Sequence, residues 1–524
     1  MKSRTLLATA IGGAMLVGSS AYALPPSDYT AAPAPLDVYY SGATATDTAL
    51  ENAFLETTAG VCAPGTIDIY RTTGNNRGNR VTFCRVTAAQ VAGFPASNIV
   101  GGVETGGTKV AFHKESIGGS SNGIIPLADQ TALEFLDMNV IAANNGATCA
   151  QSDQNVGSTA LRQYHQWTTC ADVTELKVPN GGISDHETNL GYPTPTAAQL
   201  AKLTSARGVA VPFGIAVSLN LYRALQTVQG LPTNDTSTAN VPSLTRAQIR
   251  GLLTGRLNQW SLLRDSGNTP ITSAAGVTGP TNAATGGAAD TKVFVCRRVN
   301  SSGTEGVTEA YWLQGRCDSK NGSTGAGVIV GGQGSTMDTG VPANFTSTVT
   351  PSEGSADLRT CLNAHNANGT WAVGFMALDV KTSDVTNFRL IRIDGALPNL
   401  ASVANGDYDW FAEDHLNRVQ PGLAGEATGA TLTLLQYLES NIGKPSLLAL
   451  GNSSNQNAPH GDGGVMALST FSGVTFNNPP VVDGPGGAMR TNPVNPLTRT
   501  LVGTTKTNTC NPASTAPGRA FVTP

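Results

Sequence analysis

The sequence predicts an α/β protein with a largely parallel sheet, and three observations carry that reading. Apolar strand-like runs alternate with helical stretches from residue 36 to residue 442. Small polar turns separate several of those strands from the helices that follow. Charged residues make up only 13% of the chain and apolar residues 40%, which excludes charge-driven disorder and leaves ample material for a large core. At 524 residues, the length allows two to four domains.

The elements follow in order. Residues 24–35 (LPPSDYTAAPAP) form a Pro/Ala-rich leader, expected to be extended. LDVYYSG at 36–42 reads as a strand, 46–57 as a helix, and TIDIYR and KVAFHK as further strands. TALEFLDMNVIAA at 131–143 reads as a helix, and GVAVPFGIAVSLNL at 208–221 as a buried strand. Beyond it come the helix LTRAQIRGLLTG, the strand KVFVCRRV, the helix TEGVTEAYWLQ, the strand TWAVGFMAL and the helix ATLTLLQYLESNI. Gly/Thr/Ser-rich stretches at 264–290 and 318–356 read as long loops, and 451–524 as an irregular tail.

Composition and termini bound the function. Lys and Arg number 32 against 36 Asp and Glu, a net charge of −4, so there is no basic surplus to neutralise a phosphate backbone and no nucleic-acid partner is expected. Lys2 and Arg4 precede a short apolar run at 6–17, and Ala21, Tyr22 and Ala23 fit signal-peptidase cleavage. Residues 1–23 are therefore expected to be a signal peptide, with the mature chain periplasmic or secreted. No later run reaches the ~18 apolar residues of a membrane span. No Cys follows the cleavage site, so no lipid anchor is expected there.

Eight cysteines, none in C-x-x-C spacing, suit an oxidising compartment. Three neighbouring pairs have similar spacings and are expected as local disulfides: Cys62–Cys84, Cys149–Cys170 and Cys296–Cys317. Cys361–Cys510 follows by elimination. Each local bridge closes about 20 residues and contributes ~3 kcal/mol by chain entropy.

The chemistry concentrates in four turns: Gly42-Ala43-Thr44-Ala45, Gly119-Ser120-Ser121-Asn122-Gly123, Gly182-Ile183-Ser184-Asp185 and Arg298-Val299-Asn300-Ser301-Ser302-Gly303-Thr304. A Gly/Ser turn at a helix start offers unpaired N–H groups and hydroxyls to an anion, backed by the positive end of the helix dipole. Arg298 adds a guanidinium able to meet two oxygens of a tetrahedral oxyanion.

In this order the four segments resemble the periplasmic phosphate-binding protein of ABC-type phosphate uptake systems, a type II periplasmic binding protein. They are similar to that family's Gly-Ala-Thr, Gly-Ser-Ser-Gly-Gly, Gly-Ala-Ser-Asp and Arg-x-Asp-x-Ser-Gly-Thr motifs. SLTRAQIRGLLTGRLNQW and WAVGFMAL resemble supporting segments, and the likeness covers residues 36–392. It implies two lobes with a cleft between them: residues 36–211 and 389–450 in the first lobe, 212–388 in the second, 451–524 as an extension.

Residue by residue, the resemblance implies that Thr44, Ala45, Ser120, Ser302, Gly303 and Thr304 donate to phosphate. Arg298 would supply the one full positive charge, and Asp185 would accept the proton that hydrogen phosphate carries and sulfate lacks. The implied protein is a monomeric, non-catalytic receptor without cofactor or metal, with an ABC permease as its partner. Two positions depart from the family: Asn300 replaces the Asp that helps hold the arginine, and Ala45 replaces a bulky residue, opening the first turn.

Three other readings remain in view. A phosphatase on the same scaffold would use Asp185 or Ser120 as nucleophile with His186 nearby. The Gly119-to-Gly123 turn also spells the G-x-S-x-G elbow of serine hydrolases, with Ser121 as nucleophile, although Pro126 leaves little room for the helix that elbow needs. A structural or adhesive extracellular protein would account for the long insertions and tail. Asp407, Asp409 and Asp414 fit no calcium-loop spacing and read as a solvated acidic surface.

Overall fold

The computed structural model describes residues 24–72, 78–100, 103–170, 173–313, 348–470, 484–485, 487–500, 507–510, 513–515 and 519–520. The expected signal peptide, Cys317 and most of the 318–356 loop lie outside these residues. No helix among the described residues is long and apolar enough to cross a membrane.

The first part of the chain gives β1 (Leu36–Gly42), α1 (Asp47–Leu55), β2 (Asp68–Thr72), β3 (Arg80–Val86), β4 (Thr108–Glu115), β5 (Tyr164–Cys170), β6 (Gly181–Ser184) and the long β7 (Leu203–Ser218). Then come α2 (Leu219–Val228), α3 (Arg246–Leu253), β8 (Phe294–Arg298), α4 (Gly303–Leu313), β9 (Thr348–Ser352), α5 (Ser355–Ala367) and β10 (Ala372–Ala377). The chain returns through β11 (Phe411–Val419), α6 (Gly429–Asn441) and α7 (Pro445–Asn452), and ends with β12 (Met466–Leu468) and β13 (Val494–Asn495) among shorter pieces.

The fold is α/β in two lobes sharing one strand. In the first lobe β1 lies parallel between β4 and β6; in the second β8 lies parallel between β9 and β10. β7 joins them, pairing antiparallel with β11 up to Pro212 and with β10 from Phe213 onward. Its residues 208–218 are buried without interruption, as a strand covered on both faces requires. Pro212 has no N–H to donate, and it falls where the ladder changes partner, so little is lost.

Helices bury one face each. α1 turns Ala49, Leu50, Ala53 and Phe54 inward, and α3 buries Ile249, Leu252 and Leu253 behind a Thr245/Gln248 capping box. The stretch 131–143 departs from the expected helix. Leu133–Leu136 pairs antiparallel with Thr174–Lys177, and only Met138–Ala143 is helical. Asp137 decides the break, accepting hydrogen bonds from the N–H groups of Asn139 and Val140 as an N-cap. The leader is docked rather than simply extended: Lys109 Nζ donates to the carbonyls of Asp28 and Ala31, and residues 26–29 form a 3-10 turn.

Disulfides Cys62–Cys84 and Cys149–Cys170 form as the spacing predicts. The other two expected pairings are corrected. Cys296 on β8 bonds Cys361 on α5, because the helix packs across that strand and brings the two Cα atoms to 6.0 Å. Cys361 is therefore unavailable to Cys510, which is itself disulfide-bonded. Sequence proximity favoured a loop closure, whereas the actual bridge staples a helix to its sheet. Replacing Cys296 and Cys361 together with Ala should lower unfolding free energy by about 4 kcal/mol, the chain-entropy value for so long a loop, in denaturant titrations. Peptide mapping without reductant should recover these two cysteines in one linked pair.

Candidate functional site

Each of the four turns is placed by a strand ending at the boundary between the lobes. β1 ends at Gly42, whose φ of +113° suits glycine, and a Cβ there would lie 2.0 Å from the Ile183 carbonyl and 2.9 Å from Gly123 Cα. Bare backbone therefore lets the first three turns stack. Ala43 N–H donates to Ile183 O at 2.9 Å, and Ser41 Oγ donates to Asn122 O at 2.7 Å.

The turn after β4 is the 3-10 segment Gly119–Gly123, with Ser120 and Ser121 buried. Asp185 N–H donates to Ser120 Oγ at 2.9 Å, tying the second turn to the third. The fourth turn comes from the other lobe. Ser121 N–H donates to Ser301 O at 3.0 Å, and a Cβ on Gly303, the first residue of α4, would fall 2.0 Å from Ser120 Oγ and 2.6 Å from Asp185 Oδ2. Ser120, Asp185, Ser302 and Gly303 thus meet in one place, closed between lobes.

Arg298 is 2% exposed at the end of β8. Its Nε donates to Ser352 O (3.2 Å), Nη1 to Ser355 Oγ (3.2 Å) and Nη2 to Glu353 O (2.8 Å), so the start of α5 fixes its plane. Burial lowers its pKa, and Asp185 is the foremost charge working against that. The departure at Asn300 has a local explanation. Asn300 Oδ1 accepts from the neighbouring Arg297, which also pairs with Glu305, so Asn300 serves that arginine.

Asp185 is 2% exposed, and its Oδ1 has no hydrogen-bond partner among the described residues. Burial pushes its carboxyl up to about 6, while Arg298, the Ser120 hydroxyl and Lys114 oppose the shift. Thr44 is half-buried and lines a cleft of ≈ 670 Å³ between the lobes, with Asp47 and Arg80 on its own side and Ser355, Arg359 and Asp379 opposite. Ala45 backs onto a separate small cavity with Asp379, and Thr304 is buried in the first turn of α4, its carbonyl accepting from Thr308.

Sequence reasoning missed three groups. Lys114, 2% exposed, donates to the carbonyls of Gly42, Ala43 and Glu115 and to Ser116 Oγ at 2.8–3.2 Å, so a second buried cation backs the first turn. Its place near the end of KVAFHK, just before a Gly/Ser turn, was the available signal. Asp414, read above as solvated surface, is fully buried on β11, and neither carboxylate oxygen has a hydrogen-bond partner among the described residues. Burial and the charge of Asp185 raise its pKa well above the usual range. Asp379 is half-buried with an enclosed carboxyl, raised to about 7 by burial, with Arg359 opposing and Asp185 adding to the shift.

Asp409 also differs from a solvated surface, since it accepts from Tyr311 and Arg246. Ser121 Oγ accepts from Tyr192 N–H, and His186 Nδ1 lies 2.9 Å from Glu187 O.

No protein-family model and no curated protein matches the chain. Solved structures similar to it include a putative phosphate ABC transporter substrate-binding protein with bound phosphate from Clostridium perfringens, at 13% identity and a TM-score of 0.38, covering 79% of this chain and 97% of that one. A phosphate-binding protein from Stenotrophomonas maltophilia is similar at 12% identity and a TM-score of 0.33 over 74% and 78% of the two chains. An ABC-type phosphate transport receptor from Vibrio cholerae is similar at 17% and 0.27 over 50% and 75%. Superpositions this loose leave the ligand to be argued from the chemistry of the site itself.

Two outcomes test the geometry. Gly303→Ala should lower unfolding free energy by about 1–3 kcal/mol, and adding Ser120→Ala should recover part of the loss, because the Ser120 hydroxyl is the nearest obstacle. The raised pKa of Asp185 means that the folded state holds its proton more tightly than the unfolded chain. Its contribution is full below 3.8 and is lost as pH rises through about 6. Melting temperature of the unliganded protein should therefore fall between pH 4 and pH 6, and Asp185→Asn should flatten that fall.

Proposed function

We propose that the chain is an exported, non-catalytic binding protein for hydrogen phosphate, working as the solute receptor of an ABC-type uptake system. One observation carries the reading: the buried carboxyl of Asp185 lies in the electrostatic reach of the buried Arg298, against the N-terminus of α4, where the lobes meet. A guanidinium, a helix N-terminus and Gly/Ser turns favour a small oxyanion. A carboxylate among them repels an anion unless that anion brings a proton.

Hydrogen phosphate does so. Its P–OH donates to Asp185 while its remaining oxygens accept from Arg298, the Ser120 and Ser302 hydroxyls and the N–H groups of residues 44, 45, 303 and 304. Sulfate at neutral pH offers only acceptors, and setting it against the carboxylate leaves a buried acceptor unpaired. Arsenate shares the proton and the shape of phosphate, so the same shell accepts it.

Lobe closure follows from the division of labour. Thr44, Ala45, Ser120 and Asp185 come from one lobe, and Arg298 with residues 302–304 from the other, so an anion held by both favours the closed arrangement. No catalytic group is required. His186 faces the Glu187 carbonyl, and nothing in the geometry makes Ser120 or Asp185 a better nucleophile than ligand.

Isothermal titration calorimetry at pH 7.5 should give phosphate binding at least about 100-fold tighter than sulfate. Arg298→Ala should abolish both, and Asp185→Asn should narrow the gap by strengthening sulfate. Because Asp185 titrates near 6, sulfate affinity should rise as pH drops below that value, the protonated carboxyl having become a donor. Heat from sulfate equal to that from phosphate at pH 7.5 would refute the reading. Hydrolysis of a phosphomonoester that Asp185→Ala abolishes would replace it with the phosphatase.

A further inference from the structure

Residues 494–500 and 507–510 are bound across β7 and β11, where the lobes join. β13 pairs with β12, which pairs with β7 at Val209 and Ala210, so the segment enters beside the crossing strand. Arg499, 3% exposed, then reaches into the crossing. Its Nε donates to Phe411 O at 2.7 Å and its Nη2 to Asp409 O, while its guanidinium lies 4.8 Å from the Phe411 ring centre and 5.7 Å from that of Tyr311. Phe411 opens β11 of the first lobe, and Tyr311 belongs to α4 of the second.

Two buried carboxylates complete the attachment. Glu413 on β11 accepts from Thr498 Oγ1 (2.6 Å), Arg499 N–H (2.7 Å) and Thr507 Oγ1 (3.2 Å). Glu187, two residues beyond Asp185, accepts from Thr509 N–H (2.8 Å) and Thr509 Oγ1 (2.6 Å). The same segment thus grips the Asp185 loop, the connecting strand and the helix whose N-terminus forms the other half of the cradle.

Buried charges linked this way are a poor source of net stability, because desolvation consumes much of their attraction. Their hydrogen bonds are demanding in direction, however, and fix the Arg499 fork on the first lobe, so its guanidinium meets the Tyr311 ring of the second only with the lobes at one relative position. Apolar packing would tolerate sliding; a guanidinium shared among two carbonyls and two rings does not.

We propose that this C-terminal strap braces the two lobes, and that Arg499 and Glu187 act through it as positioning residues that hold the Asp185 loop and α4 in register for the anion. The ligand effect rests on the phosphate reading above; the brace does not.

The test uses the full chain with spin labels at Thr48 and Lys381, exposed positions on opposite walls of the cleft. Distance distributions of the unliganded protein are compared with those of Arg499→Met, which keeps bulk but loses the fork, and of the milder Thr509→Val. Stopped-flow phosphate dissociation gives the second readout. The strap predicts a narrow distribution in the parent, a broader or longer one in each variant, and phosphate dissociation at least 10-fold faster with little change in association. If Arg499→Met does not fold, Thr509→Val decides alone. Folded variants with the parent distribution overturn the proposal, whatever their melting temperatures. A parent that binds no phosphate would sink the receptor reading while leaving the distance comparison decisive for the strap.

Discussion

A carboxyl and a guanidinium buried together at a lobe boundary constrain everything around them. Neither Asp185 nor Arg298 can shed its charge to water, so each must be held by neighbours or by one another. Arg298 is held by three oxygens at the start of α5, and Asp185 by the Ser120 hydroxyl against its backbone. The glycines follow from the closeness this requires. Gly42, Gly123 and Gly303 stand where any side chain would strike the backbone or polar group opposite. The disulfide of Cys296 with Cys361 acts on the same unit, joining the strand that ends in Arg298 to the helix that cradles it.

Around this pair the charge balance is tilted toward acid. Asp185, Asp379 and Asp414 influence one another, and the buried cations Lys114, Arg297 and Arg298 stand at or beside the turns. Mutual repulsion and burial both favour the protonated carboxyls. Raised only to about 6, Asp185 still ionises at neutral pH, as an acceptor for a P–OH must, while Asp414 is pushed well above the usual carboxylate range. Lys114 is spent on the carbonyls of Gly42 and Ala43, where it holds the first turn.

Much of the α/β order was legible because its signals are local. A strand ending in Gly or Ser before a helix start is visible at Gly42, Gly119 and Gly303, and it places Ser120, Asp185 and Gly303 in the contact found here. What escaped notice depended on contacts across the sheet. Cys361 pairs with Cys296 only because α5 lies over β8, and 21-residue spacing carries no trace of that packing. Asp414 sits in an acidic stretch that resembles solvated surface, and only its place inside the paired strand β11 makes it a buried carboxyl. The break at Asp137 was readable as an N-cap but was outweighed by the apolar run around it. The tail had no periodicity to read, since its order comes from isolated Thr, Arg and Glu hydrogen bonds rather than from a repeating face.

The central claim is spatial, so the most direct measurement is a crystal structure of the protein grown with phosphate. The account predicts a single tetrahedral anion within hydrogen-bond distance of Asp185, Arg298, Ser120 and Ser302, enclosed by both lobes. An anion held in the ≈ 670 Å³ cleft lined by Thr44, Arg80 and Arg359, away from Asp185 and Arg298, would contradict it.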